Sequence, residues 1–405
     1  MKYTELNNCL CCNSRNLIQH LDLGLQPLAN SYRSQDEKLD EFELRTNLCT
    51  ECFHLQLSIA VDPDLLFKNY SYVSGTSKTL HSYFEWFSNF VSEQTEIVDS
   101  TCVLDIACND GTQLDYFKSK GFNTYGIDPA ENLYSTSSQN HEIYCGYLDD
   151  LISKKWSNKF DYIIAQNVFA HNADPLNFLL KMSLMLKTNG RIYIQTSQSE
   201  MILNNEFDTI YHEHISFFNV NSMRELSRRV GITLVDVFKT PVHGSSYVFV
   251  FQMVSNLCEK INNILAYEKW QGLQTIDTYK FHANNALVTI SEFNETIKTY
   301  RERGYKIIGY GAAAKGNTIL NAAKVYLDII IDDNDLKWDK YTPGSNSKID
   351  GPHRLVDFYG SNVLFIPLAW NFYTEIMNRM NEHFANFGEV VSFKYFPIRQ
   401  LVKIK

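Results

Sequence analysis

The stretch "CVLDIACNDGTQLDYFKSKGFNTYGIDPA", residues 102–130, decides the fold. An apolar run from Val103 to Ile106 breaks off into a tight "ACNDG" loop. A helix follows with Leu114 and Phe117 on one face, and a second run, Tyr125 to Ile127, ends on Asp128. Strand, loop, helix and strand in that order aim loop amides and a helix start at a ligand, and Asp128 stands where a carboxylate accepts hydrogen bonds from two ribose hydroxyls. The loop departs from the dinucleotide fingerprint G-x-G-x-x-G: Ala107 and Asn109 occupy the first two glycine positions, and only Gly111 is kept. A pyrophosphate needs the close backbone approach that those glycines permit. S-adenosylmethionine carries no phosphate and does not need it, which makes Asp105, Ala107, Asn109, Gly111 and Asp128 its predicted contacts. A dinucleotide dehydrogenase and an α/β domain without cofactor are the alternatives.

"YIIAQN" (162–167) and "RIYIQTS" (191–197) continue the sheet, with a helix between them ending near "KTNGR", where Gly190 is expected to cap it. The pattern is that of a class I methyltransferase domain, and Asn167 joins the predicted cofactor contacts. Just past that third strand, "NVFAHNADP" puts His171 where the crevice at the carboxyl ends of the strands opens. Past the next strand lies "DTIYHEHISFF" (208–218), with Tyr211, His212, Glu213 and His214 in a row. A lone His171 would read as a helix-start or packing residue; two converging segments carrying three histidines, a tyrosine and a glutamate read as a proton-transfer site. Were the segment a strand, His212 and His214 would share a face, as metal ligands at i and i+2 can. The spacing is not H-E-x-x-H, so proton transfer is preferred to a metal site or a structural loop, with His212 as a satisfied neighbour.

Toward the amino terminus, Cys9, Cys12, Cys49 and Cys52 form two C-x-x-C pairs separated by an insertion that includes "LGLQPLANSYRS". Four thiolates complete a tetrahedral zinc shell with no open position, so the site is expected to be structural, with Cys11 a spare. The alternative is buried free thiols. A chain of 405 residues holds two or three domains, and 44% apolar with 20% charged residues suits a globular protein. A formal charge of -9 without a basic run argues against nucleic acid as a partner, and no apolar run approaches a membrane span. The polar opening "MKYTELNNCLCC" lacks a secretory core, and the expected location is cytoplasmic.

Toward the carboxyl terminus, a helix is predicted over 279–300, with Ala283, Ala286, Leu287, Ile290, Phe293 and Ile297 at helical spacing. "YKIIGYGAAAKGNTIL" (305–320) then repeats the strand, glycine loop and helix layout, and "LDIIIDDN" (327–334) supplies a strand ending at Asp332 and Asp333. Gly309, Gly311 and Gly316 leave room for a phosphate and Lys315 adds a charge. The order of lysine and glycine is not that of a Walker loop, and a nucleotide, a nucleotide sugar or a purely architectural role all remain open.

Taken together, the paired C-x-x-C module with "DLGLQPLANSY", "YSYVSG" (70–75), "LDIACNDGTQL", "NVFAH", "DTIYHEHISFF", "PVHGSS", "GYGAAAKGNTILN" and "DDNDLKWDKYTPGSN" (332–346) resemble the nucleotide-sugar C-methyltransferases. Nearly the whole chain is covered. The resemblance implies an α/β protein of three parts: a small zinc-binding domain (1–75), a class I S-adenosylmethionine methyltransferase domain with a Rossmann-like fold (76–255), and a helical connector with a carboxyl-terminal Rossmann-like domain (256–405), acting as a monomer. It makes His214 the base, with Tyr72, His171, Tyr211 and Glu213 lining the reacting sugar. His243, Gly311, Lys315, Asn317, Lys340 and Tyr341 become contacts to the nucleotide-sugar substrate, a dTDP-4-keto-6-deoxysugar. One departure stands out: "HGSSYV" (243–248) replaces an expected "HGGSLR", so Ser245 takes the place of a glycine and Val248 that of an arginine.

The chemistry explains the residues. Carbon attacks a sulfonium methyl only as an enolate, a 4-keto sugar provides the carbonyl, and an unperturbed histidine has the basicity to take the adjacent proton near neutrality. Tyrosine hydroxyls or a histidine N–H can steady the enolate oxygen, and Glu213 can orient a histidine or accept a sugar hydroxyl. Both C-3 and C-5 flank the C-4 ketone; C-3 is the expected site. Rival readings are an O- or N-methyltransferase on a sugar nucleotide, an oxidoreductase holding a dinucleotide at the second glycine loop, and a noncatalytic nucleotide-sugar-binding protein.

Overall fold

The computed structural model describes residues 2–34, 37–67, 73–76, 78–94, 96–196, 199–240, 246–254 and 259–405; Tyr72, His243 and Ser245 lie outside the described residues. The chain divides into two compact units. One comprises Met1–Ile18, Asn47–Ser199 and Glu213–Thr275, and the other Gln19–Thr46, Glu200–His212 and Ile276–Lys405.

The first unit is built on seven strands: β1 (Cys102–Ile106), β2 (Asn123–Asp128), β3 (Glu142–Cys145), β4 (Phe160–Gln166), β5 (Leu186–Thr196), β6 (Thr233–Thr240) and β7 (Ser246–Gln252). They run in the order β3-β2-β1-β4-β5-β7-β6. The first five are parallel and β7 is antiparallel to both its neighbours. This is the class I methyltransferase sheet. Both faces are covered, which is why the strands read as nearly continuous apolar runs. Helices α1 (Lys78–Ser92) and α2 (Thr112–Lys118) set Phe87, Leu114 and Phe117 against Val103, Ile164 and Tyr193. On the other face α3 (Pro175–Met185) and α4 (Val220–Val230) set Phe178, Leu179, Met182 and Leu226 against Ile163, Ala165 and Ile192. Each such side chain contributes about 1.5–3 kcal/mol of hydrophobic stabilisation.

Gly190 does not cap a helix. The chain leaves α3 directly into extended backbone at Leu186, which pairs with Phe160, so Gly190 lies inside β5. A Cβ there would meet the Asp161 carbonyl oxygen at 2.9 Å, and close packing rather than a left-handed turn explains the glycine.

The second unit opens, in its later part, with a helix α5 (Ile276–Glu302), longer at both ends than the periodicity predicts. Ala283, Ala286, Phe293 and Ile297 are buried on it, but Leu287 is 51% exposed, because Tyr279 and His282 take part of the inner face. A six-stranded sheet follows: β8 (Lys306–Tyr310), β9 (Ile329–Ile331), β10 (Ile349–Asp350), β11 (Val363–Pro367), β12 (Val390–Lys394) and β13 (Gln400–Lys403). Its order is β10-β9-β8-β11-β12-β13, parallel except for β13. That order is the Rossmann one. Between β8 and β9 runs α6 (Ala314–Ala322). Among the described residues no helix is long and apolar enough to cross a membrane.

Candidate active site

At the amino terminus the four cysteine sulfurs lie within 4.8 Å of one another, with Cys9 to Cys52 and Cys12 to Cys49 at 3.5 Å. Sulfurs around one zinc at about 2.3 Å stand about 3.8 Å apart, so the shell fits. Thiol hydrogen bonds from Cys11, Cys49 and Cys52 hold the Cys9 thiol far below its ordinary value, and the hydrogen bonds to Cys49 and Cys9, with burial, push Cys52 far above. Four thiols turned toward one point at this spacing are a set that a cation completes. Cys11 is fully buried, its thiol pushed up by burial, and it is not in the ligand set. Among the described residues these four cysteines are the one group placed to share an ion.

The loop after β1 takes the backbone course of a glycine turn without the glycines. Ala107 and Asn109 have φ of 65° and 53°, and Gly111 has 85°. Amides of Ala107 and Cys108 donate to the Ile127 carbonyl, and the Asn109 amide donates to Asp128 Oδ2 at 2.8 Å while Ala130 donates to Oδ1 at 2.8 Å. Two carboxylic acids thus sit at neighbouring strand ends. Burial raises the Asp105 carboxyl well above the usual range, with the Asp128 charge adding to it, and burial raises Asp128 also. No cation pairs with either among the described residues. Asn167, after β4, has φ 54° and is exposed, its Nδ2 3.4 Å from Gln195 Oε1.

Asn109 and two residues that sequence reading passed over, Asp110 and His81, bind an earlier segment to this loop. Asn109 Oδ1 and Asp110 Oδ2 accept the amides of Ser74 and Gly75, each at 2.9 Å, and His81 reaches both the Gly75 carbonyl and the Tyr116 hydroxyl at 2.9 Å. A Cβ on Gly75 would lie 2.5 Å from Asp110 Oδ2. The turn that follows the "YSY" residues is therefore seated on the cofactor loop. Only the glycine hinted at it.

His171 closes a short 3-10 turn, Phe169–His171, beyond β4. Its ring stacks on Phe67 (centroids 5.5 Å, 6°) and on His214 (5.3 Å, 23°). The backbone explains the pairing: Ile215 donates to the Ala170 carbonyl, Leu57 donates to the Ile215 carbonyl, and Ser216–Phe217 pairs with Leu55–Gln56. Burial lowers the His171 ring to about 4, so it is neutral at pH 7. Glu213 is buried beside it in sequence. Val248 is fully buried in the sheet core, where no polar contact is available to it.

In the second unit, His212 packs edge-on to Phe42, and its Nε2 donates to the Glu43 carbonyl at 3.3 Å. Burial lowers it to about 4. The three glycines of the second loop are crowded by the unit's own side chains: added Cβ atoms would stand 2.7 Å from Leu327 at Gly309, 2.9 Å from Ala369 at Gly311 and 2.9 Å from Leu368 at Gly316. Asp332 accepts the Ala312 and Asn334 amides and pairs with Lys337 at 3.2 Å. Lys315 Nζ is buried without a hydrogen-bond partner, 4.7 Å over the Trp370 ring, and Asn317 Nδ2 is spent on the Ala29 carbonyl. Lys340 and Tyr341 occupy a separate turn, where Tyr341 bridges to Arg33 and Lys348.

Three family models tile the chain in order: a zinc binding domain over residues 9–67, a methyltransferase domain over 79–237 and a C-methyltransferase C-terminal domain over 241–393. The chain carries the domain set of a C-methyltransferase. It is 27% identical over 403 residues to the C-methyltransferase NovU of Streptomyces niveus, covering 95% of each chain. Among solved structures it is similar to a SAM-dependent methyltransferase from Aquifex aeolicus (16% identity, TM-score 0.34, 43% of this chain and 98% of that one). A second is the Burkholderia thailandensis 1,6-didemethyltoxoflavin-N1-methyltransferase (16%, TM-score 0.32, 50% and 96%). The C-methyltransferase uses S-adenosylmethionine and has a zinc-binding amino-terminal domain.

Proposed function

We propose that this C-methyltransferase adds a methyl group to the ring carbon next to the C-4 ketone of a dTDP-linked 4-keto-6-deoxysugar, at C-3, with C-5 as the alternative, in the cytoplasmic synthesis of branched deoxysugars. The observation that carries the reading is the stack of neutral His171 on His214. His214 is the base: its unprotonated ring nitrogen accepts the proton of the carbon beside the ketone, and the electron pair of that C–H bond moves toward the ketone oxygen. His171, kept neutral, leaves His214 free to become cationic and has an N–H to offer the oxygen. Tyr211 and Tyr72 supply hydroxyl donors to the same developing charge. Glu213 orients a ring or accepts a sugar hydroxyl.

Asp105, Ala107, Asn109, Gly111, Asp128 and Asn167 would hold S-adenosylmethionine, the buried acids matching its hydroxyls and positive groups. When bound, it supplies an electrophilic methyl group for which the enolate carbon is the acceptor. Lys315, with Gly311 and Asn317, is the candidate for the diphosphate of the substrate, and His243, Lys340 and Tyr341 are carried as further contacts. The zinc shell has no open position and takes no part in the chemistry.

A panel of dTDP-4-keto-6-deoxysugars and their 4-hydroxy counterparts, each with S-adenosylmethionine, tests the reading by mass spectrometry and NMR of the products. Carbon-bound methyl from the ketones alone is expected. Methyl on oxygen or nitrogen, or equal turnover of the 4-hydroxy sugars, would overturn it.

A further inference from the structure

Within the second unit, residues 205–212 are held at almost every second position. Asn285 Nδ2 donates to Asn205 Oδ1 at 2.9 Å and, one helical turn away, His282 Nε2 contacts the Glu206 carbonyl at 3.0 Å. Asp208 Oδ2 accepts the Trp370 indole N–H at 2.6 Å and the Tyr395 hydroxyl at 3.2 Å; Thr318 donates to the Ile210 carbonyl at 3.2 Å; His212 donates to the Glu43 carbonyl. Tyr211 lies between the last two anchors.

The first of these anchors is backed by an unusual chain. His20 Nε2 lies 3.0 Å from His282 Nδ1, with ring centroids 5.1 Å apart and planes within 19°, and His20 Nδ1 lies 2.8 Å from the Thr46 hydroxyl. A carbonyl at the end of the chain fixes every proton in it. Glu206 can only accept, so His282 carries its proton on Nε2 and presents a bare Nδ1; His20 must then donate from Nε2 and accept from Thr46 at Nδ1. Burial keeps both rings neutral, with His20 lowered to about 3 and His282 to about 4. His282 is completely buried, so a polar chain of this kind is costly unless each member is satisfied, and each is.

We propose that His282, its tautomer set by the Glu206 carbonyl and its Nδ1 held by His20, is a positioning residue that fixes the 205–212 segment and through it the Tyr211 hydroxyl. The proposal rests on the reading of Tyr211 as a donor to the enolate oxygen. Within the second unit, α5 and α6 are the frame on which this tyrosine is mounted.

The test compares His282→Leu, His282→Gln and Thr318→Val with the wild-type enzyme, following exchange of the sugar α-proton in D2O, kcat, and S-adenosylmethionine affinity by calorimetry. Glutamine keeps an N–H near the position of Nε2 and leucine does not. His282→Leu should lower exchange and kcat together by about 10- to 100-fold, the cost of misplacing a catalytic group by about an ångström, with cofactor affinity unchanged, and His282→Gln should recover most of the loss. Thr318→Val, nearly isosteric and one residue from Tyr211 through the Ile210 carbonyl, should lower both in the same direction and stands in if the leucine variant does not fold. Wild-type rates in His282→Leu or Thr318→Val, or a glutamine variant as slow as leucine, would overturn the proposal. If the wild type itself neither exchanges nor methylates the ketone, the functional reading has failed, and the clamp is judged by amide hydrogen exchange across 205–212: faster in His282→Leu supports it, unchanged overturns it.

Discussion

The molecule contains the same nucleotide-type turn twice, and the two differ in what packs against them. In each, an acid at the end of the second strand accepts one loop amide and the amide two residues beyond itself: Asp128 takes Asn109 and Ala130, Asp332 takes Ala312 and Asn334. In the glycine-rich copy the glycines pack closely against the unit's own side chains. Leu327, Leu368 and Ala369 press on its three glycines, and Lys337 neutralises its acid. The glycine-poor copy bends through left-handed backbone at Ala107 and Asn109 and leaves Asp105 and Asp128 buried without a cation. Glycine content records how closely something approaches the backbone, and here what approaches is the protein itself.

Substitutions can break this contrast. On our reading Asp128→Ala has the largest effect, removing a charged acceptor and loosening two loop amides, and should weaken S-adenosylmethionine binding by about a hundredfold in calorimetry. Gly311→Ala should instead cost about 1–3 kcal/mol of stability in urea unfolding, from crowding against Ala369 and a φ of 87°, with cofactor affinity of the folded protein unchanged. Histidine titration sharpens the contrast further. His20, His212 and His282 of the second unit have folded values lowered to about 3 or 4, so their contribution to stability is complete above the unfolded value of about 6.5 and is lost as pH falls from there toward 4. NMR should find none of the three protonated at pH 6. The smallest effect belongs to Ala107→Gly, which relieves a left-handed alanine and should raise stability by less than about 1 kcal/mol, since added freedom in the unfolded chain offsets part of the gain.

Much of this was legible from sequence where the signal is local. The run 102–130 declares two strands and a helix through its periodicity, and the C-x-x-C spacing declares a four-sulfur shell. Gly190 misled because a glycine after a helix is ordinarily a cap, and only the pairing of Leu186 with Phe160 shows that the strand has already begun. Asp110, His81, His20 and His282 gave no signal, since each acts through a partner distant in the chain. The convergence of His171 and His214 was legible, but not their stacking, which depends on the Ile215 amide meeting the Ala170 carbonyl. At the second loop the sequence left a nucleotide, a nucleotide sugar and an architectural role open, because crowding at a glycine is a property of its neighbours.

The most direct test of the account is deuterium incorporation at the carbon beside the ketone of a dTDP-4-keto-6-deoxysugar, in the wild type and in His214→Ala. The account predicts exchange by the wild type and a loss of about 10²- to 10⁴-fold in the variant, with S-adenosylmethionine still bound. Exchange at the wild-type rate without the imidazole would contradict it.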